Sequence, residues 1–232
     1  MGDTTFDSEL FDDSCEEENE FDRALQEADQ VSIENEASSW TQVPIESIPG
    51  LSYYPNRLPP DLQNQIANAL PDSLFSDMNS GRQLHLYVPF PEPMQSLNKY
   101  LPSEFLSNVW KDQPAEASII QVYNPGDGII PHKDLDMFAD GVAIYSFFSD
   151  ITMVFTLPSQ KLKCDVRLQK GSLVIMYGPA RYQWLHEIPF RGGDWVPLSS
   201  RDELTPPKQT WIPRTQRFSI TMRRIVGNHT FG

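Results

Sequence analysis

The sequence predicts a mainly β domain with flanking helices, built as a sandwich or barrel. Beyond residue 117, short β-branched and aromatic runs follow one another, each broken by Gly, Pro or Asp: ASIIQVYN, VAIYSFFS, TMVFTLP, KCDVRLQ, SLVIMYG, ARYQWLHEIP and RFSITMRRI. Many short strands at regular spacing pair as two sheets or close into a barrel, because a bare strand edge must be covered. Helical periodicity is confined to the stretch before them. The 232 residues suffice for one sizeable core and leave little for a second full domain.

Taken in order, the chain opens on an acidic segment. Residues 1–40 hold 14 Asp and Glu against the single Arg23, a local sum of −13. FDDSCEEENEFDRALQEADQ has too much like charge and too few apolar groups to offset ordering entropy, so residues 1–38 are expected as a disordered tail, with room for a short helix near FDRALQEA. A solvating role is the plain reading of this tail; the sharper one is competition with an anionic ligand for a basic C-terminal surface. The folded domain is expected over 39–232, with order beginning near WTQVPIESIPGLSYYPNRLPP. In LPPDLQNQIANAL, Leu62, Ile66 and Leu70 recur at helical spacing behind prolines, which predicts a short amphipathic helix. PSEFLSNVWKD repeats the pattern over 102–112, with Ser103 as its expected cap.

The remaining charge is polarised. Residues 41–159 carry 5 bases and 13 acids, while residues 160–232 carry 12 bases and 5 acids. No apolar run is long enough to cross a bilayer, and MGDTTFDSEL has neither the basic start nor the apolar stretch of a signal peptide. With only Cys15 and Cys164, a disulfide framework is not expected and a reducing compartment fits, so the chain is expected inside the cell, in the nucleus or cytoplasm. Oligomeric state is not legible.

Chemistry concentrates in GIIPHKDLD, which places His132, Asp134 and Asp136 at alternate positions. On a strand, His132 and Asp134 share one face, and Asp136 continues it for as long as the strand persists. A later run, GPARYQWLHEI, leads through an aromatic strand to His186, distant in sequence but reachable in a closed β-fold. Two imidazoles and a carboxylate are the facial set that leaves positions open on non-haem Fe(II). A closed zinc site would need a fourth protein ligand, and none is evident.

RFSITMRRI adds an anion-binding strand. Arg217, Ser219, Thr221 and Arg223 share one face; Phe218, Ile220 and Met222 share the other. A polar face with two Arg is sensible if it lines a cavity holding an anion, and in isolation it also suits a solvent-facing edge strand. Because the two Arg are about 20 Å apart along an extended strand, they must reach inward from either end to meet at one small group. His85 and His229 read as surface or satisfied histidines. Tyr182 and Trp184 suit barrel packing or stacking on a flat substrate. Gly126 and Gly128 permit the turn that presents His132.

Four stretches in this order, YYPNRLPPDLQNQIANAL, QVYNPGDGIIPHKD, GPARYQWLHEI and RFSITMR, span about residues 48–226. Together they resemble the AlkB-like 2-oxoglutarate- and Fe(II)-dependent dioxygenases. The resemblance implies a double-stranded β-helix, a cupin-like jelly roll, with Fe(II) held by His132, Asp134 and His186 as the catalytic metal centre. It implies that Arg217, helped by Tyr123, takes the distal carboxylate of 2-oxoglutarate, and that Arg223, Ser219, Thr221 and Gln121 support the cofactor. Two residues depart from the usual pattern: Gln121 stands where Asn is usual, and Glu187 where the nucleic-acid demethylases have Gly. The implied reaction uses O2 and 2-oxoglutarate, releases succinate, and hydroxylates a substrate carbon; on an N-alkyl group the product collapses to formaldehyde.

For the substrate, the resemblance makes Asp136 a candidate base contact, with an ordinary loop acid as the plain alternative; Arg82, in SGRQLHLY, is a candidate residue of a substrate-facing lid, and the same segment also reads as a strand. Three functions follow: an oxidative demethylase of N-alkylated bases in single-stranded DNA or RNA, a dioxygenase acting on protein, and a binding module that keeps the fold. The complete ligand set argues against the third. The C-terminal bases suit a phosphate backbone, and Glu187 suits protein.

Overall fold

The computed structural model describes residues 40–76, 83–197 and 209–226. The expected acidic tail (1–38), Cys15, Arg82 and His229 lie outside them. The chain divides into Met1–Trp40 and Thr41–Gly232, and every element below belongs to the second unit. In order these are β1 (Thr41–Gln42), β2 (Leu51–Tyr54), α1 (Pro60–Ala69), α2 (Ser73–Ser76), β3 (Gln83–Tyr87), α3 (Glu92–Gln95), a 3-10 turn (Ser96–Tyr100) and α4 (Ser103–Asn108). The β-rich part follows: β4 (Ala117–Tyr123), β5 (Ile129–His132), β6 (Phe138–Phe147), β7 (Ile151–Leu157), β8 (Leu162–Leu168), β9 (Leu173–Met176), α5 (Pro179–Tyr182), β10 (Leu185–Ile188), β11 (Gly193–Pro197), β12 (Gln209–Pro213) and β13 (Arg217–Ile225). No described helix is long and apolar enough to cross a membrane.

Two sheets make the body. One runs β2-β9-β6-β13-β4-β3, the other β1-β8-β7-β10-β5, and β11-β12 stands as a separate ribbon. Strands distant in sequence lie side by side, as in β13 between β6 and β4, and the result is the double-stranded β-helix expected. Its two faces are used differently. Ile151, Met153, Phe155, Val166 and Leu168 of one sheet pack with Val142, Ile144, Val174 and Met176 of the other. The outer face of the six-stranded sheet, including Ile120, Tyr145, Phe218, Ile220 and Met222, packs on Ile66, Leu70, Met94, Leu97 and Phe105 of the helical layer. Each such fully buried apolar side chain contributes roughly 1.5–3 kcal/mol, so the period-two pattern of β13 is what glues the helices to the sheet.

Local expectations are met with three corrections. The helix read from Leu62, Ile66 and Leu70 is present, with Ile66 and Leu70 buried and Leu62 partly so. The second helix ends at Asn108 instead of 112, and its cap position is Pro102, so Ser103 is its first residue and caps nothing. Proline suits that position because its fixed φ and missing N–H cost nothing there. ARYQWLHEIP is not one strand: Gly178 at φ 51° and Pro179 start a helical turn, α5, and β10 begins only at Leu185. SGRQLHLY contains strand β3 from Gln83 onward.

Candidate active site

The centre is built where two strands of the five-stranded sheet meet. β10 pairs antiparallel with β5 so that His186 lies opposite His132, and the ring centroids are 4.3 Å apart. Gly128 makes that approach possible: a Cβ there would sit 2.3 Å from the Ile188 carbonyl oxygen. His132 Nδ1 is 2.8 Å from the Ile130 carbonyl. A carbonyl only accepts, so Nδ1 carries the proton and Nε2 presents its lone pair.

Asp134 completes the group. Its Oδ2 is 3.8 Å from His186 Nε2, and its Oδ1 accepts from Arg223 Nε at 2.6 Å and from Arg223 Nη2. Oδ2 is buried with no hydrogen-bond partner, an arrangement that costs free energy unless a cation fills it. Among the described residues no three His, Cys, Asp or Glu side chains already stand at the spacing of a formed metal cluster. The fit of a metal therefore rests on the donor chemistry: one orphaned carboxylate oxygen and two imidazoles, an open set of the kind that holds Fe(II).

Electrostatics keep that set ready. Burial lowers the pKa of His132, and burial together with the neighbouring His132 lowers His186 to about 3. Both rings are neutral near pH 7, so the His186–Asp134 contact is not an ion pair and the lone pairs stay available. Burial pushes Asp134 up, but Arg223 and the two histidines outweigh it and hold the carboxyl at about 2. It is an anion at any working pH.

At the other end of the β13 polar face lies a cation without a counter-ion. Arg217 is 1% exposed. Its guanidinium carbon sits 5.2 Å from the Tyr123 ring centroid, Nη2 donates to Ser146 Oγ at 3.0 Å, and Nε has no partner. No ion pair among the described residues includes it. Burial lowers its pKa to about 10, which leaves it charged. Burial also raises the Tyr123 hydroxyl, against hydrogen bonds with Ser219 and Arg217. Ser219 and Thr221 are buried. Gln121 is half-buried, pairs in register with Ser219 and lies on the Tyr123 face of β4. A buried guanidinium, a phenol and hydroxyls are what a carboxylate needs.

The structure thus gathers most of the expected residues and redistributes some. Strand β5 stops at His132, so Asp134 and Asp136 lie beyond the ladder; Asp134 turns inward and Asp136 is exposed. Arg223 does not converge with Arg217 on a shared anion: it grips the carboxylate of Asp134. Trp184, 3% exposed, is core packing, while Tyr182 is 45% exposed beside the site. His85 is on the surface. A cavity beside α1, lined by Asn56, Arg57, Gln63 and Lys170, shares no residue with the site.

Sequence reasoning missed three features. Ser146 holds Arg217. The ribbon β11-β12 sets Trp195 opposite Trp211, and the matching segments GDWVP and QTWIP were its signal. At its base Asp194 accepts from Arg214 Nε at 2.9 Å and Arg191 Nε at 2.9 Å. Arg214 Nη1 also donates to the Pro189 carbonyl at 2.7 Å and the Asp127 carbonyl at 3.3 Å, which ties the ribbon to the ends of the strands that carry His132 and His186.

The profile of the 2OG-Fe(II) oxygenase superfamily matches residues 80–223. The uncharacterized protein L905 of Acanthamoeba polyphaga mimivirus is 30% identical over 144 residues, 60% of this chain and 62% of that protein. The tRNA (carboxymethyluridine(34)-5-O)-methyltransferase alkbh8 of Xenopus tropicalis is 33% identical over 121 residues, 50% of this chain and 19% of that protein. This chain therefore spans less than two thirds of each. A Pseudomonas putida prolyl-4-hydroxylase shares the fold with a TM-score of 0.53 at 15% identity, over 77% of this chain and 94% of that one. OsALKBH1 shares it with a TM-score of 0.51 at 12% identity, over 76% of this chain and 98% of that one. With the profile covering the strands that carry His132, His186 and Arg217, the chain belongs to the 2OG-Fe(II) oxygenase superfamily.

Proposed function

We propose that this 2-oxoglutarate-dependent dioxygenase oxidatively removes alkyl groups from nitrogen atoms of bases in single-stranded DNA or RNA. The observation that carries the reaction class is the pairing of an orphaned Asp134 oxygen beside two neutral imidazoles with an uncompensated Arg217 on the strand that also bears Arg223. Fe(II), 2-oxoglutarate and O2, which the superfamily uses, supply the oxidation of a substrate C–H bond together with conversion of 2-oxoglutarate to succinate and CO2.

The protein residues do the holding. His132, Asp134 and His186 would hold the metal. Arg223 fixes the Asp134 carboxylate so that one oxygen faces the histidines. Arg217, Tyr123 and Ser219 would receive the distal carboxylate of 2-oxoglutarate, with Gln121 and Thr221 along the same wall. Asp136 and Tyr182 are exposed next to the centre, where a splayed base can be hydrogen-bonded and stacked. The nucleic-acid reading is supported by the AlkB-like likeness and by relatives whose names specify tRNA.

A second reading, a protein substrate, is favoured by the fate of the C-terminal bases. Arg181, Arg214, Arg217 and Arg223 are buried, and Arg167, Arg191, Arg224 and Lys163 are paired with acids. Among the described residues much of the positive excess is thus buried or already paired with acids, and less is left for a phosphate backbone. Glu187, half-buried next to His186 and pushed up by burial, also suits a non-nucleic partner.

Anaerobically purified protein with added Fe(II) and 2-oxoglutarate is expected to form succinate, and His132→Ala to form none. A pool of methylated oligonucleotides should raise succinate and release formaldehyde in equal amount. Turnover indifferent to the pool moves the assignment to protein, and no turnover from wild type under any condition refutes the dioxygenase site.

A further inference from the structure

Arg181 belongs to the motif that delivers His186, yet no step above uses it. It is 2% exposed, and no ion pair among the described residues includes it. Its guanidinium instead converges on four main-chain oxygens of one segment. Nε donates to Ala139 O at 3.2 Å, Nη1 to Asp134 O at 3.4 Å, and Nη2 to Leu135 O at 3.1 Å and Phe138 O at 2.5 Å.

That segment needs such a partner. It runs from Asp134, two residues past the end of β5 at His132, into Phe138 and Ala139 at the start of β6, and the Asp134 and Leu135 carbonyls lie outside any strand ladder. Between the buried Asp134 and Phe138, Leu135 and Met137 are 41% and 48% exposed and anchor little. A guanidinium buried without a carboxylate is costly, and is tolerated where fixed dipoles meet its donors. Arg181 itself is anchored, because α5 is pinned by Gly178 N donating to Asp140 Oδ1 at 3.0 Å and Ala180 N to Pro49 O at 3.0 Å.

We propose that Arg181 is a positioning residue for the metal centre: it locks the main chain of Asp134 to the turn that leads into His186, setting the distance between two ligand-bearing segments before a metal arrives. Arg223 orients the Asp134 side chain, and Arg181 fixes the backbone beneath it. The proposal rests on the reading of Asp134 and His186 as metal ligands. Arginine is required because a fork of donors reaches several carbonyls at once, whereas a lysine ammonium is a point charge.

The test uses the full chain and Co(II) as a spectroscopic probe of the metal site, comparing wild type, Arg181→Lys, Asp134→Ala, and Arg167→Lys as a variant of an arginine elsewhere. Arg181→Lys should bind Co(II) about 10- to 100-fold more weakly, the range seen when groups behind metal ligands are removed, with altered visible bands; Arg167→Lys should match wild type. Co(II) affinity and bands unchanged in Arg181→Lys, with only its melting temperature lowered, overturn the proposal and leave Arg181 a structural residue. Asp134→Ala binding Co(II) as tightly as wild type would instead sink the ligand reading. Hydrogen exchange on metal-free wild type gives a readout that needs no variant. The amide of Phe138, which donates to the Leu135 carbonyl that Arg181 also holds, should exchange slowly, as part of the cooperative core, and rapid exchange there overturns the proposal.

Discussion

Replacing Arg217 with methionine should make the ligand-free protein more stable while destroying its response to 2-oxoglutarate. Arg217 is buried with a hydrogen bond to Ser146, the ring and hydroxyl of Tyr123 beside it, and an unpartnered Nε. Desolvating such an ion costs several kcal/mol even after relaxation. A hydrogen bond to a charged group returns about 1.5–3 kcal/mol, and a desolvated cation–π contact about 2 kcal/mol. These terms roughly cancel, so an apolar side chain of similar volume should gain about 1–3 kcal/mol, as when buried ions elsewhere are replaced by packed hydrophobes. For a chain of this size that raises Tm by about 2–4 °C per kcal/mol.

The ligand reverses the order. At a hundred times its Kd, 2-oxoglutarate stabilises wild type by about 2.7 kcal/mol. Losing one partner of a buried charge pair costs about 2–5 kcal/mol, which weakens binding roughly 30- to 4,000-fold. Melting curves of both proteins with Mn(II), with and without 2-oxoglutarate, and titration calorimetry of 2-oxoglutarate, read both effects. A 2-oxoglutarate-dependent shift retained in Arg217→Met refutes the carboxylate assignment. A ligand-free Tm below that of wild type refutes the claim that the charge is uncompensated.

Three further outcomes are expected. Burial pushes Asp194 up, but hydrogen bonds from Arg214 and Arg191 outweigh it and lower its pKa; a depressed carboxyl stabilises the fold fully above its unfolded pKa of about 4 and loses that contribution as pH falls further. Urea unfolding should therefore show a steeper acid-side loss in wild type than in Asp194→Asn, which itself should be destabilised by about 3–5 kcal/mol near pH 7 for leaving two arginines without their counter-charge. Gly128→Ala forces the β4–β5 loop away from Ile188 and should weaken Co(II) binding through His132; an unchanged affinity would show that the close approach is not needed. Tyr182→Ala should leave succinate formation without substrate unchanged but raise KM for a methylated oligonucleotide about 5- to 150-fold, equivalent to the 1–3 kcal/mol of one stacked base, and an unchanged KM would remove Tyr182 from the substrate site.

Much of this protein follows from local pattern. Period-two alternation in RFSITMRRI separates Phe218, Ile220 and Met222 from Arg217, Ser219, Thr221 and Arg223, and the structure buries the first set on the helices and the second between the sheets. The helix at Leu62, Ile66 and Leu70 and the nomination of His132, Asp134 and His186 rest equally on side-chain type and spacing, which need no knowledge of distant neighbours. Strand ends were less legible, because β5 stops where Arg181, 47 residues from Asp134, takes over the carbonyls.

What the tertiary structure decided is the destination of each charge. Arg223 and Asp134 are 89 residues apart, and nothing local says that this guanidinium serves the carboxylate while Arg217 remains without an acid. The same holds for the C-terminal bases, whose sum suggested a phosphate-binding surface until burial and pairing were known. Periodicity is a property of neighbours along the chain and sets which face is apolar; the cost of an unpaired buried charge depends on what the fold brings next to it.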